Sequence, residues 1–137
     1  MLFQENKRIA VIGAGISGIA AANVLKKQGY EAIVFEKSTE IGGVWAAAYP
    51  EVRLQNISSQ YHLSDFPWTF TPDLHPTQPQ IRQYLEIVVD RLQIDVRLNH
   101  EVLALEELEA GWRVRFQNQE GCHEDIFNYV LVATGLY

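Results

Sequence analysis

The stretch from Arg8 to Lys37, RIAVIGAGISGIAAANVLKKQGYEAIVFEK, constrains the fold of this chain more than any other. Arg8–Ile12 is a short apolar, β-branched run suited to a strand buried on both faces. Gly13, Gly15 and Gly18 follow at once. Residues 17–28 are rich in Ala, Leu and Lys and predict a helix, with Gly29 placed for a left-handed stop. Ala32–Glu36 reads as a second buried strand. Strand, helix and strand within about 30 residues predict one crossover unit, parallel and right-handed.

The glycines have distinct tasks in such a unit. Gly13 permits the tight turn out of the strand, and Gly15 lets a pyrophosphate approach the backbone. Gly18 lets the helix lie close to the strands. Unpaired amides at the helix N-terminus, helped by the helix dipole, attract anionic phosphate. A glycine triplet alone is weak support, but here it follows a strand, opens a helix and precedes an acidic residue ending the next strand. That residue, Glu36, is suited to accept both ribose hydroxyls of an adenosine and to repel a 2′-phosphate. The cradle is therefore expected to hold NAD or FAD, not NADP.

Residues 37–76 lack sustained periodicity and contain four of the five prolines. A loop that long in a compact domain points to function, and its aromatics argue against disorder. Thr77 and Gln80 form a capping-box pair with Pro79 in the first turn. Ile81, Tyr84, Leu85, Val88 and Leu92 then give a helix one apolar face. Residues 94–99 predict a strand. Segments 101–108, 112–118 and 122–129 predict a small antiparallel meander, with turns at 109–111 and 120–121. Val130–Ala133 reads as a last buried strand.

Composition narrows the functional classes. At 137 residues the chain has one domain's length and can bury its own core. A net charge of −6 with scattered basic residues excludes a general nucleic-acid or anionic-membrane surface. The single cysteine, Cys122, excludes an internal disulfide or a cysteine zinc cluster and suits a reducing cytosol. Histidines 62, 75, 100 and 123 have no ligand spacing, so no metal is expected. The first apolar run is too short for a signal or a span. The chain reads as soluble and cytoplasmic.

The run through Gly13, Gly15, Gly18 and Glu36 to Gly42-Gly43 resembles the FAD-binding start of flavoproteins that bind two dinucleotides. Gly42-Gly43-Val44-Trp45 followed by Tyr49-Pro50 resembles the class B flavin monooxygenases, the flavin-containing and Baeyer–Villiger enzymes. Gln55-Asn56-Ile57-Ser58-Ser59 before Asp65-Phe66-Pro67-Trp68 is similar to the flavin-containing group, and Ala133-Thr134-Gly135 to the family's strand-to-loop signal beside FAD. The resemblance implies an α/β, Rossmann-like FAD/NAD(P)-binding fold: a parallel sheet in the order third, second, first, last, flanking helices and the antiparallel meander. It implies that residues 1–137 form the FAD-binding part, with loop 37–76 over the flavin side and the NADPH domain absent from this chain. In such enzymes NADPH reduces FAD, the reduced flavin takes up oxygen as a peroxide, and this oxidises a soft nucleophile (N or S) or a ketone.

By the same resemblance, Gly13, Gly15, Ile16, Ser17 and Gly18 hold the pyrophosphate, and Glu36 with Lys37 the adenosine ribose. Gly42, Gly43, Val44 and Trp45 line the flavin side, as do Ala133, Thr134 and Gly135. Asn56 donates an amide hydrogen bond near the flavin and is the catalytic candidate. Arg53 is the alternative there, as the cation that Baeyer–Villiger enzymes place by the flavin, a role the resemblance does not fix. Asp65–Trp68 reads as a packing plug. Two other readings stay open: a stand-alone NAD- or FAD-binding module without chemistry, and a fragment acting as an interaction partner. The apolar YVLVATG segment predicts an edge strand that pairs with another chain, as a homodimer or otherwise.

Overall fold

The computed structural model describes residues 7–135. The extremities of the expected 1–137 domain lie outside the described residues. Strand β1 (Arg8–Ile12) leads through the glycine turn into helix α1 (Ile16–Lys27), and Gly29, at φ 90°, reverses the chain into β2 (Glu31–Phe35). After a short helix α2 (Val44–Ala47) and a single 3-10 turn (Ser58–Gln60) come α3 (Gln78–Arg91) and β3 (Asp95–Arg97). Then follow β4 (Glu101–Leu108), β5 (Gly111–Asn118), β6 (Gly121–Phe127) and β7 (Tyr129–Val132). The parallel sheet has the order β3-β2-β1-β7 and the meander the order β4-β5-β6, the arrangement expected from the sequence.

Strand alternation divides the core in two. Ile9, Val11 and Val34 face α1 and α3, where they meet Ile19, Ala22, Ile81, Tyr84, Leu85 and Val88. Ala10, Ile33 and Phe35 point the other way, onto Val114, Phe116 and Phe127 of the meander. The flanking helices thus cover one face and the antiparallel sheet covers the other, because both surfaces of these apolar strands need a partner. Arg8 ties the layers: its guanidinium donates both to Asp125 Oδ1 at 3.0 Å and to Oδ2 at 2.9 Å on β6.

Helix α3 begins where its cap predicts. Thr77 Oγ1 accepts from the Gln80 amide at 3.3 Å, and Gln80 Oε1 accepts from the Thr77 amide at 3.1 Å. The strand expected at 94–99 is shorter than predicted, because Asn99 turns at φ 57° to send the chain into β4. Loop 37–76 is ordered by its aromatics. Tyr84 Oη accepts from the Leu63 amide at 2.9 Å and donates to the Phe66 carbonyl at 2.5 Å. Trp68 packs on Tyr84 with ring centroids 4.6 Å apart and donates to the Ser58 carbonyl at 2.9 Å. Asp65 is gripped by Asn23 and Lys27 of α1, which makes Asp65–Trp68 a packing element.

Candidate dinucleotide site

A cavity of about 1020 Å³ opens at the carboxyl ends of β1, β2 and β7, the place where open α/β sheets bind ligands. Its first wall is the glycine turn. Gly13, at φ 109°, donates its amide to the Phe35 carbonyl at 2.8 Å, and a Cβ there would stand 2.5 Å from the Ala133 carbonyl oxygen. A Cβ on Gly18 would stand 1.9 Å from the Gly13 carbonyl oxygen. Both glycines are therefore required by the protein itself. Gly15 is different. Its φ is −77°, and a Cβ there would find Gly43 Cα as its nearest neighbour, at an ordinary 3.8 Å. The bare backbone at Gly15 borders the cavity, so the absent side chain leaves room for a ligand, not for the fold.

Gly15 is also the N-cap of α1, and no side chain caps that end; no acidic residue occupies the first turn. The first amides of α1 thus face the cavity as donors beside Ile16 and Ser17, which line it. Gly42 donates to the Ala14 carbonyl at 2.8 Å, and Gly43 at φ 58° lies against Gly15, so the second glycine pair forms the opposite lip. Trp45 extends this lip, its indole donating to Tyr61 Oη at 2.8 Å. Burial holds the Tyr61 phenol above its ordinary pKa, against a smaller lowering by the Trp45 bond.

Glu36 is buried at the end of β2, with Oε1 accepting from the Ala14 amide and Oε2 from the Ser38 amide, each at 2.9 Å. It therefore braces the glycine turn as well as facing the cavity. Lys37, Val44, Ala133, Thr134 and Gly135 complete the predicted residues on the lining. Gly18 lies beneath it as packing. Asn56 is exposed and off the lining: Leu54 donates to Pro76 and Gln78 to Val52, which zips this segment to the start of α3 and sets the Asn56 carbonyl 3.1 Å from His75 Nδ1. Arg53 is paired with Asp73 at 2.8 Å, likewise off the lining.

The lining also holds residues that went unrecognised in the sequence, among them Ser38, Glu40, Tyr61, His100, Glu101 and Val102. The last three enter from the start of β4, delivered by the turn at Asn99; no local motif marks them. Among the described residues, no group of three or more His, Cys, Asp or Glu is arranged to hold a metal, and no helix is long and apolar enough to cross a membrane.

Residues 10–137 match the model of a family described as pyridine nucleotide-disulphide oxidoreductase. The chain belongs to this family. It is 29% identical to the thiol-specific monooxygenase of Saccharomyces cerevisiae, over 100% of this chain and 35% of that protein. It is 27% identical to the flavin-containing monooxygenase FMO GS-OX-like 2 of Arabidopsis thaliana, over 96% of this chain and 36% of the relative. Among solved structures, OTEMO in complex with FAD and NADP superposes with a TM-score of 0.82 at 25% identity, over 97% of this chain and 26% of that one. The chain spans about a third of the length of these curated relatives.

Proposed function

We propose that this chain is the FAD-binding part of an NADPH- and oxygen-dependent flavin monooxygenase that oxidises a soft nucleophile (N or S) or a ketone. The observation that carries the reading is the bare Gly15 backbone, which the fold does not require, at an uncapped helix N-terminus beside Glu36. A space that a Cβ would fill suits a pyrophosphate, and the lips at Gly42-Gly43 and Ala133–Gly135 suit the rest of a dinucleotide. FAD bound there would supply two-electron redox chemistry with oxygen. The chain's own residues bind and orient it: Gly13, Gly15, Ile16 and Ser17 cradle the diphosphate, with Gly18 packing the helix beneath. Glu36 and Lys37 take the ribose side, and Gly42, Gly43, Val44, Trp45 and Ala133–Gly135 border the flavin side.

The flavin-containing and thiol-specific monooxygenases among the relatives favour oxygenation over the dithiol exchange that the family description also evokes. Cys122, exposed on β6, is the single cysteine of these 137 residues and has no partner for such exchange within them. NADPH is assigned to residues outside these, and so is the substrate pocket. The role beside the flavin assigned to Asn56 by resemblance has no support in its position. The proposal also places the protein in the cytoplasm and gives β7 an associating edge: Tyr129, Leu131 and Val132 are 53, 38 and 61% exposed.

A visible spectrum of the purified protein, followed by titration with FAD, tests the reading. Yellow protein that releases flavin on heating, or uptake of added FAD, is expected. Colourless protein that ignores FAD and binds NAD would replace the proposal with a stand-alone nucleotide module.

A further inference from the structure

The strip from Lys37 to Glu40 is an outer wall of the cavity, with all four residues exposed. It is pinned at Ser38, whose carbonyl accepts from the Asn99 amide at 2.9 Å and whose hydroxyl donates to the Glu40 carbonyl at 2.6 Å. The Glu40 side chain reaches across to α3, where its Oε1 lies 2.9 Å from Arg82 Nη2. Arg82 is off the apolar face of α3, and its Nε is buried without a partner. A bare buried donor is unfavourable, so packing alone does not account for a guanidinium at this position.

The charges on the lining do account for it. Three carboxylates, Glu36, Glu40 and Glu101, border the cavity against one lysine, Lys37. Glu36 is occupied by the amides of Ala14 and Ser38. Glu40 has one cationic partner among the described residues, Arg82. An unpaired carboxylate on this wall would oppose the entrance of a diphosphate that the amides of α1 attract.

We propose that Arg82 is a positioning residue for the dinucleotide: it neutralises Glu40 and draws it toward α3, keeping the cavity receptive to a diphosphate. The inference rests on the FAD reading and adds a residue remote from the glycine turn. The test measures FAD affinity by flavin-fluorescence quenching at low salt for the wild type, Arg82→Met, Glu40→Gln and the double variant, with circular dichroism of each. Arg82→Met is expected to bind about three- to tenfold more weakly, the scale of one uncompensated charge at partly screened range, and the gap closes at high salt. The double variant binds like wild type, because removing the carboxylate removes the need for the arginine, and Glu40→Gln binds at least as tightly, because the Arg82 charge is then unopposed. Unchanged affinity in Arg82→Met would overturn the inference. So would a double variant as weak as Arg82→Met, or a fold lost in Arg82→Met and not restored in the double, since either makes Arg82 a packing residue. Wild-type protein that takes up no FAD would instead defeat the underlying reading, and this inference with it.

Discussion

At Gly15 and Gly18 the same residue type serves opposite masters, and substitution separates them. Gly15→Ala adds a methyl that the protein accommodates, with its nearest neighbour at 3.8 Å. The variant is expected to keep its stability within about 1 kcal/mol of wild type while losing roughly tenfold or more in FAD affinity, since the methyl occupies ligand space. Gly18→Ala, whose Cβ would stand 1.9 Å from the Gly13 carbonyl oxygen, is expected to destabilise the fold by about 3 kcal/mol or more. Thermal melts alongside FAD titrations check both, and a Gly15→Ala protein that binds normally would contradict the cradle. Spacing alone revealed the triplet and Glu36, because a strand, a turn and a helix N-terminus are local and leave a local trace. It did not reveal that Glu36 braces the Ala14 amide, nor that Tyr61, His100, Glu101 and Val102 share its cavity. Those meetings depend on tertiary geometry.

Among the elements, the contact between β1 and β6 is where charge holds two layers together. The Arg8 guanidinium, by hydrogen bonding first and charge second, keeps the Asp125 carboxyl below its ordinary pKa, against a partial opposing effect of burial. A carboxylate lowered in the folded state contributes stability that is fully present above its unfolded pKa of about 4 and fades as pH falls through the folded value. Asp125→Asn should therefore melt lower than wild type near neutrality, with the two curves converging in acid below about pH 4. Melting curves across that range check the sign. The elements themselves were largely legible: Thr77 and Gln80 announced α3, and its buried apolar residues, Ile81, Tyr84, Leu85 and Val88, were among those at helical spacing. Leu92, by contrast, is a half-buried C-cap, and buried Gln78 was not foreseen. The placement of both helices on one side of the sheet was not, since uniformly apolar strands do not say which partner covers which face. The path of loop 37–76 was equally hidden, because side chains such as Tyr84 and Trp68 order it and period does not.

On the scale of the whole molecule, the sheet has two edge strands, β3 and β7. Strand β7, expected as a buried strand over 130–133, runs over Tyr129–Val132 and is mostly exposed because only β1 pairs with it. Ile9 pairs with Tyr129 and Val11 with Leu131, so Tyr129 and Leu131 share the helix-facing side of the sheet, yet both are exposed. Such an edge invites another strand. The protein is expected to self-associate in light scattering at micromolar concentration, and Leu131→Lys is expected to return it to monomer; a monomeric wild type would count against this. The meeting of Gly13 with Ala133 carries a different consequence. A Cβ at residue 13 would run into the carbonyl of residue 133, so the glycine turn after β1 rests on a segment made much later, just after β7. Until β7 emerges and docks beside β1, the nascent chain displays the whole nucleotide fingerprint without a floor beneath it. On the FAD reading, a fragment ending within the meander, before β7, is therefore expected to carry the motif and yet bind FAD more weakly than residues 1–137.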